Sequence, residues 1–358
     1  MDKQTANPES ETRELNRGED SEDADLRSLV RGDLPPEAFR YHPWRVWLVV
    51  PRVLVIVGLS VAIATIHPPW YIGTFGGVLL GNLYIGLMLF AHEVSHGGVT
   101  PNRWIRHLIL YPGFLIYLIP PHLWSPWHNA AHHGHTNVEH KDPDGTIGDV
   151  RLSRPLKSLL RIVPASSCVL SILFLFVGLT MQAYWVFWRE SHRARSGSPL
   201  GTLKRGYIYA ELASLCFFWL GVFFITGWFG FIFLFLIPYL TANAIIMSYV
   251  VTNHLFWPTT IAATTVLENT TSVRTIRILD WLHLNFSHHV EHHLFPKLAH
   301  RYYPLVRRSL LKHRPHQYCA PLHWKALWIL YTTPTNSDGV RGFIGHASID
   351  DLKNRLSA

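Results

Sequence analysis

Five long apolar runs stand out from an otherwise polar, histidine-rich chain, at roughly residues 47–66, 71–91, 163–188, 208–226 and 229–251. A bilayer core takes about 20 helical residues at about 1.5 Å each, so runs of this length read as membrane segments. The first two are joined by the uncharged turn His67-Pro68-Pro69-Trp70, the last two by little more than Gly227-Trp228. Such tight connections predict two transmembrane hairpins. The run at 163–188 differs because both flanks are basic: Arg151, Arg154, Lys157 and Arg161 precede it, and Arg189, Arg193, Arg195, Lys204 and Arg205 follow. Basic loops favour the cytoplasmic side, so this run is expected to be re-entrant or to lie in the interface. The expected fold class is an all-α integral membrane protein with four transmembrane helices as two hairpins, interfacial or re-entrant helices, and a cytoplasmic helical cap formed by residues 92–160 and 253–331.

The polar segments fill in the rest. Residues 1–39 read as a disordered polar tail, most plainly over 1–25, and 332–358 as a second polar tail. Near the end of the first tail, Phe39, Tyr41, Trp44, Arg45 and Trp47 mark an approach through the membrane interface. Residues 108–121 are apolar but short and carry Pro112, Gly113, Pro120 and Pro121, so they are expected to dip into the interface. Ser125-Pro126 offers an N-cap and first-turn proline for a helix carrying His128, His132 and His133, which Asp142-Pro143-Asp144-Gly145 would end.

Composition agrees with a membrane protein: 48% of residues are hydrophobic and 16% charged. The net charge of +8 lies mostly in loops beside apolar runs, which assigns it to membrane anchoring and not to nucleic acid. Cys168, Cys216 and Cys319 lack CxxC spacing, so neither a disulfide framework nor a zinc ribbon is expected.

The chemistry resides in histidines. His92 and His96 are spaced i, i+4 at the end of the second run; His128 and His132 are i, i+4 with His133 adjacent; His289, His292 and His293 are i, i+3, i+4 and share one helix face, closed by Phe295-Pro296. The expected span parity puts all three clusters on one membrane face. Eight imidazoles exceed the four ligands of one zinc ion and suit two metal ions in a shared cage. Without a thiolate cluster, copper(I) and iron–sulfur sites are disfavoured, and two irons that activate dioxygen fit the donor set.

The boxes HEVSH, HNAAHH and HVEHH, with HHGHTN running on toward DPDG and EHHLFP closing the third, resemble those of the membrane fatty acid desaturases over roughly residues 40–315. The resemblance implies iron ligation by His92, His96, His128, His132, His133, His289, His292 and His293. It also implies a further ligand from the last transmembrane helix, for which His254 is the candidate. It implies a desaturase domain over 40–331, two iron ions with O2 as co-substrate, and a C=C bond introduced into an acyl chain of a membrane lipid or thioester. Electrons would come from an external ferredoxin or b-type cytochrome, since the HPGG motif of fused haem domains does not occur here. Arg301, Arg307, Arg308 and Lys312 are the expected docking cations.

Other readings remain beside it. A hydroxylase on the same boxes begins from the same C–H cleavage. HEVSH alone also matches the HExxH zinc protease helix with Glu93 as base, but that leaves the remaining boxes unexplained. Glu93 is read instead as orienting a ligand histidine, and Asp280 and Asn285 either as hydrogen-bonding ligand N–H groups or as part of an exposed polar face. A metal transporter would place its ligands within the spans, not past their ends. His107, His122, His283 and His300 are expected to be packing or interfacial residues, and His135, His140 and His288 bystanders.

Overall fold

The computed structural model describes residues 22–138, 141–144, 169–193, 198–257, 260 and 263–332. Among these the chain is helical, its only β-pairing being two isolated bridges. Four stretches are long and apolar enough to cross a membrane: Pro43–Ile66, Trp70–Ser95, Ile172–Arg189 and Arg205–His254. The last is two helices. At Gly227 the backbone turns out of the helix with φ 62° and ψ −157°, a left-handed region that glycine enters without steric cost. The Trp219 and Phe235 rings then lie 4.8 Å apart although sixteen residues separate them, so the chain doubles back.

The long helices are α2 (Val49–Ile66), α3 (Trp70–Ser95), α6 (Val169–Trp185), α7 (Arg205–Gly230) and α8 (Ile237–His254). A Cβ added at Gly77 would meet Ile237 at 2.9 Å, and one at Gly81 would meet Thr241 at 2.6 Å. These glycines let α3 and α8 approach backbone to backbone, as small residues do in membrane helix pairs. The register, 77 beside 237 and 81 beside 241, makes the two helices parallel. They finish together, with His92 and His254 at the same end. At the opposite end the two tight turns meet, His67 against Phe229 at 4.8 Å. Phe224 and Ile225 of α7 are 81% and 86% exposed, a surface that only an apolar solvent satisfies.

The run at 163–188 is described only from Val169 onward. Residues 163–168 lie outside the described part, but from Val169 the chain is one unbroken helix that continues as a π turn through Glu190. Phe174, Leu179 and Ala183 are buried in the main core, and the stretch Ile172–Arg189 is long and apolar enough to cross a membrane.

Residues 108–121 form no span. α4 (Arg103–Phe114) buries Ile109, Leu110 and Phe114 and leaves Leu108 70% exposed. Tyr117 then inserts among the helices, its carbonyl accepting from Thr180 Oγ1 at 3.0 Å.

The N-terminal tail is shorter than expected. Residues 22–33 form helix α1, and Leu26, Val30, Leu34 and Ala38 are buried against Val290, Leu294, Val306 and Leu310. Leu26 and Val30 share one face of α1, and Leu34 and Ala38 in the turn beyond it continue the buried row, which the polar composition around them masks. Residues 1–21 and 333–358 lie outside the described part.

Candidate metal centre

α3 carries His92 near its end and His96 as its C-cap, both buried. The second box begins earlier than Ser125. α5 (Pro121–Trp124) starts after Pro120, with proline at the first helical position, and Ser125 lies inside the helix without acting as a cap. From Ser125 to His132 the helix widens into a π turn, closed by the His133 N–H donating to the His128 carbonyl at 3.1 Å. On an α-helix, residues five apart point roughly 140° away from each other. The π turn removes that divergence, and His128 and His133 bring their Nε2 atoms to 3.2 Å.

The third box is helix α11 (His289–Leu294), ended by Phe295, which leaves the helical region with φ −135° and ψ 69° before Pro296. His289 and His293 face the same way, Nε2 to Nε2 3.1 Å. His292 turns toward His133 at 3.1 Å.

Nine imidazoles thus converge in two groups. One joins His92, His96, His128, His133 and His292; the other joins His132, His254, His289 and His293, with all donor atoms of a group within 4.8 Å of one another. Within them, Nε2 separations include 2.7 Å for His92–His128, 3.2 Å for His92–His96 and 2.8 Å for His254–His289. Two nitrogens bound to one metal at roughly 2.1 Å stand about 3–3.4 Å apart, so the donor spacing fits a transition-metal ion in each group. The groups adjoin, with the His133 and His293 rings stacked at 4.2 Å.

Burial holds His96, His128, His133, His289, His292 and His293 well below the usual imidazole range, in the neutral form a metal needs. His132 is the exception. Burial pulls it down, but Asp142 and Asp144 outweigh that and raise it to about 9. Its Nδ1 lies 3.1 Å from Asp142 and 3.2 Å from Asp144. His292 Nδ1 meets the Tyr303 hydroxyl at 3.0 Å and His293 Nδ1 meets Thr136 Oγ1 at 3.3 Å. In the tautomer that leaves Nε2 free, each Nδ1–H donates to these oxygens.

Other sequence expectations fail here. Glu93 touches none of the nine histidines. Its carboxylate pairs with buried Arg45 at 2.8 Å and with His300 Nδ1 at 2.9 Å. That engagement removes it as a protease base, and it draws Arg45 and His300 out of the interface. Asp280 accepts from Ser287 Oγ and Thr275 Oγ1, and Asn285 donates to the His300 carbonyl, so neither reaches a clustered imidazole. His288 bonds Ser287 and His283 bonds Tyr249; both stay outside the two groups, as does His135. His140 lies outside the described residues.

Arg307 is no docking cation. It donates to Glu291 Oε1 at 3.1 Å, to Tyr318 and to the Val273 carbonyl. Lys312 pairs with Asp33 at 2.7 Å, while Arg301 and Arg308 are exposed. The sequence reading missed Glu291, Tyr303 and the two aspartates as supports of the site. A glutamate between two ligand histidines and paired acids after HHGHTN were the available signals.

Among the described residues, the fold and site define a helical protein whose membrane-length helices end at two adjoining histidine groups with the spacing of metal ligands. The fatty acid desaturase family model matches residues 68–326, and the chain belongs to that family. It is 24% identical over 128 residues to the sn-1 acyl-lipid omega-3 desaturase (ferredoxin) of Nostoc sp. (strain 36), covering 35% of this chain and 36% of that protein. It is 26% identical over 117 residues to the sn-2 acyl-lipid omega-3 desaturase (ferredoxin), chloroplastic, of Helianthus annuus, covering 32% of this chain and 26% of that protein. The match to the omega-6 fatty acid desaturase, chloroplastic, of Glycine max is 21% over 238 residues, covering 65% and 53%. The aligned segments therefore span between about a quarter and half of these relatives.

Proposed function

We propose that the chain is a membrane-bound, O2-dependent di-iron desaturase that introduces a double bond into an acyl chain, with His92, His96, His128, His133 and His292 holding one iron and His132, His254, His289 and His293 the other. The observation that carries this is the convergence of nine imidazoles in adjacent groups of five and four, at the shared end of α3 and α8. Iron bound there would supply an oxidant able to remove two hydrogens from unactivated adjacent carbons, O2 becoming two waters with those two hydrogens plus two electrons and two protons from outside.

The chain's own residues orient and shield. Asp142, Asp144 and Tyr303 fix ring tautomers, so Nε2 lone pairs point inward. Phe286 packs edge-on against His92 and His289 and keeps water from that side. The apolar faces of the long helices bring the acyl chain to this depth. The acyl-lipid and ferredoxin terms in the names of relatives support a glycerolipid-bound substrate and a small acidic electron donor, for which exposed Arg301 and Arg308 are the docking cations. The centre faces the cytoplasm in this reading, following the basic flanks.

The test is expression in a host that lacks the activity, followed by mass spectrometry of its fatty acids. New double bonds are expected. Hydroxylated chains in their place, or unchanged lipids from iron-loaded protein, would overturn the reading.

A further inference from the structure

Outside the nine-histidine centre, one more cluster of metal-ligating groups lies among the described residues. His107 of α4, His122 of α5 and Glu211 of α7 place their donor atoms within 4.8 Å of one another. His107 Nε2 lies 2.9 Å from Glu211 Oε1, and His122 Nδ1 contacts the same oxygen. The two rings meet at 4.4 Å, and Tyr207 stacks on His122 at 4.9 Å.

The charge balance of this cluster is unusual. The Glu211 side chain is only 4% exposed, yet among the described residues its ion-pair partners are two imidazoles and no lysine or arginine. Its other oxygen accepts the His122 backbone N–H at 2.9 Å. A carboxylate withdrawn from water needs a compensating positive charge, which a cation held among these three side chains would supply. The imidazoles are the open side, at 27% and 32% exposed. That leaves a position where water or a fourth ligand completes a coordination shell.

We propose that His107, His122 and Glu211 form a third metal site, for a zinc-class divalent cation. Two imidazole nitrogens, one carboxylate oxygen and an open fourth position are the donor set zinc takes. The absence of thiolates and the presence of imidazoles disfavour copper(I) and calcium. Such an ion neutralises Glu211 and ties α4, α5 and α7 together. α5 runs directly into the π turn that carries His128, His132 and His133, so the clip braces the ligand-bearing segment from outside. It is distinct from the proposed iron centre and does not depend on it.

The test is metal analysis of the purified full chain after equilibration with zinc and gel filtration, for the wild type, Glu211→Gln and His107→Asn. About one zinc per chain is expected in the wild type. Each variant should lose it while iron content stays unchanged, and zinc should raise the thermal midpoint of the wild type alone. A wild type that retains no zinc overturns the proposal, and the cluster is then a hydrogen-bonded triad only. Zinc retained equally by both variants also overturns it, since the ion then sits in the nine-histidine centre. Zinc lost in the variants from a chain without iron would leave this site standing and sink the di-iron reading instead.

Discussion

Glu291 sits between His289 and His292 on α11 but points away from the metal centre, fully buried. Its carboxylate accepts from Tyr318 OH at 2.5 Å, Ser272 Oγ at 2.5 Å and Arg307 Nε at 3.1 Å. Arg307, on α12 (Tyr303–His313), spans the gap to the Val273 carbonyl at 3.0 Å. The cluster therefore pins the third-box helix to the cap. Removing one partner of a buried ion pair costs about 3–5 kcal/mol because the other charge is stranded. The Arg307 side chain keeps 17% exposure, so water relieves part of that cost and the lower end, about 3 kcal/mol, is expected for Glu291→Gln. Arg307→Met should cost a similar amount by stranding the carboxylate. The double variant should lose clearly less than the sum of the two, since neither charge is then left alone. Unfolding of the three variants in detergent, analysed as a double-mutant cycle, measures the coupling directly. Singles within about 0.5 kcal/mol of wild type, or strictly additive losses, would refute the role given to this pair.

Three further outcomes follow. His254→Ala should lose the iron of the four-histidine group and all turnover, whereas His288→Ala, bonded to Ser287 outside both groups, should keep iron and activity near wild type; metal analysis and product assay compare them. Gly98→Ala places a Cβ 2.0 Å from the Lys297 carbonyl, at the point where the chain after the first box passes the chain after the third. Overpacking of that kind costs about 1–3 kcal/mol, so a lowered thermal midpoint with weakened iron retention is expected. His283 is buried, which with His323 pulls its imidazole down to about 4 despite Asp280. The unfolded chain then binds the extra proton, so stability is full above pH 6.5 and falls as pH drops toward 4, by up to about 3 kcal/mol; His283→Gln should flatten that slope in unfolding measurements.

Much of the centre was legible in the sequence because intra-helical histidine spacing survives folding unchanged. His92 with His96 and His289 with His293 meet as an i, i+4 pair must. The partition between the two groups was not legible, because it depends on the π turn that swings His133 beside His128, and no local residue choice announces that turn. Asn253-His254 closed the last long run, and the parallel register of α3 and α8 delivers His254 to the same level as His92. Charge was the weakest guide. Arg307, Arg45 and Glu93 looked like surface or ligand-orienting groups, but each finds its partner on a different helical element, which composition cannot show. The helix over 22–33 was hidden for a related reason: its buried Leu26 and Val30 sit among acidic and basic residues, and only the cap it packs against makes it worth forming.

The most direct measurement is the iron content of the purified full chain, read together with its Mössbauer spectrum. Two irons per chain in nitrogen-rich environments are expected, falling to one in His254→Ala. A single metal ion, or zinc alone with the nine histidines intact, would contradict the two-iron centre.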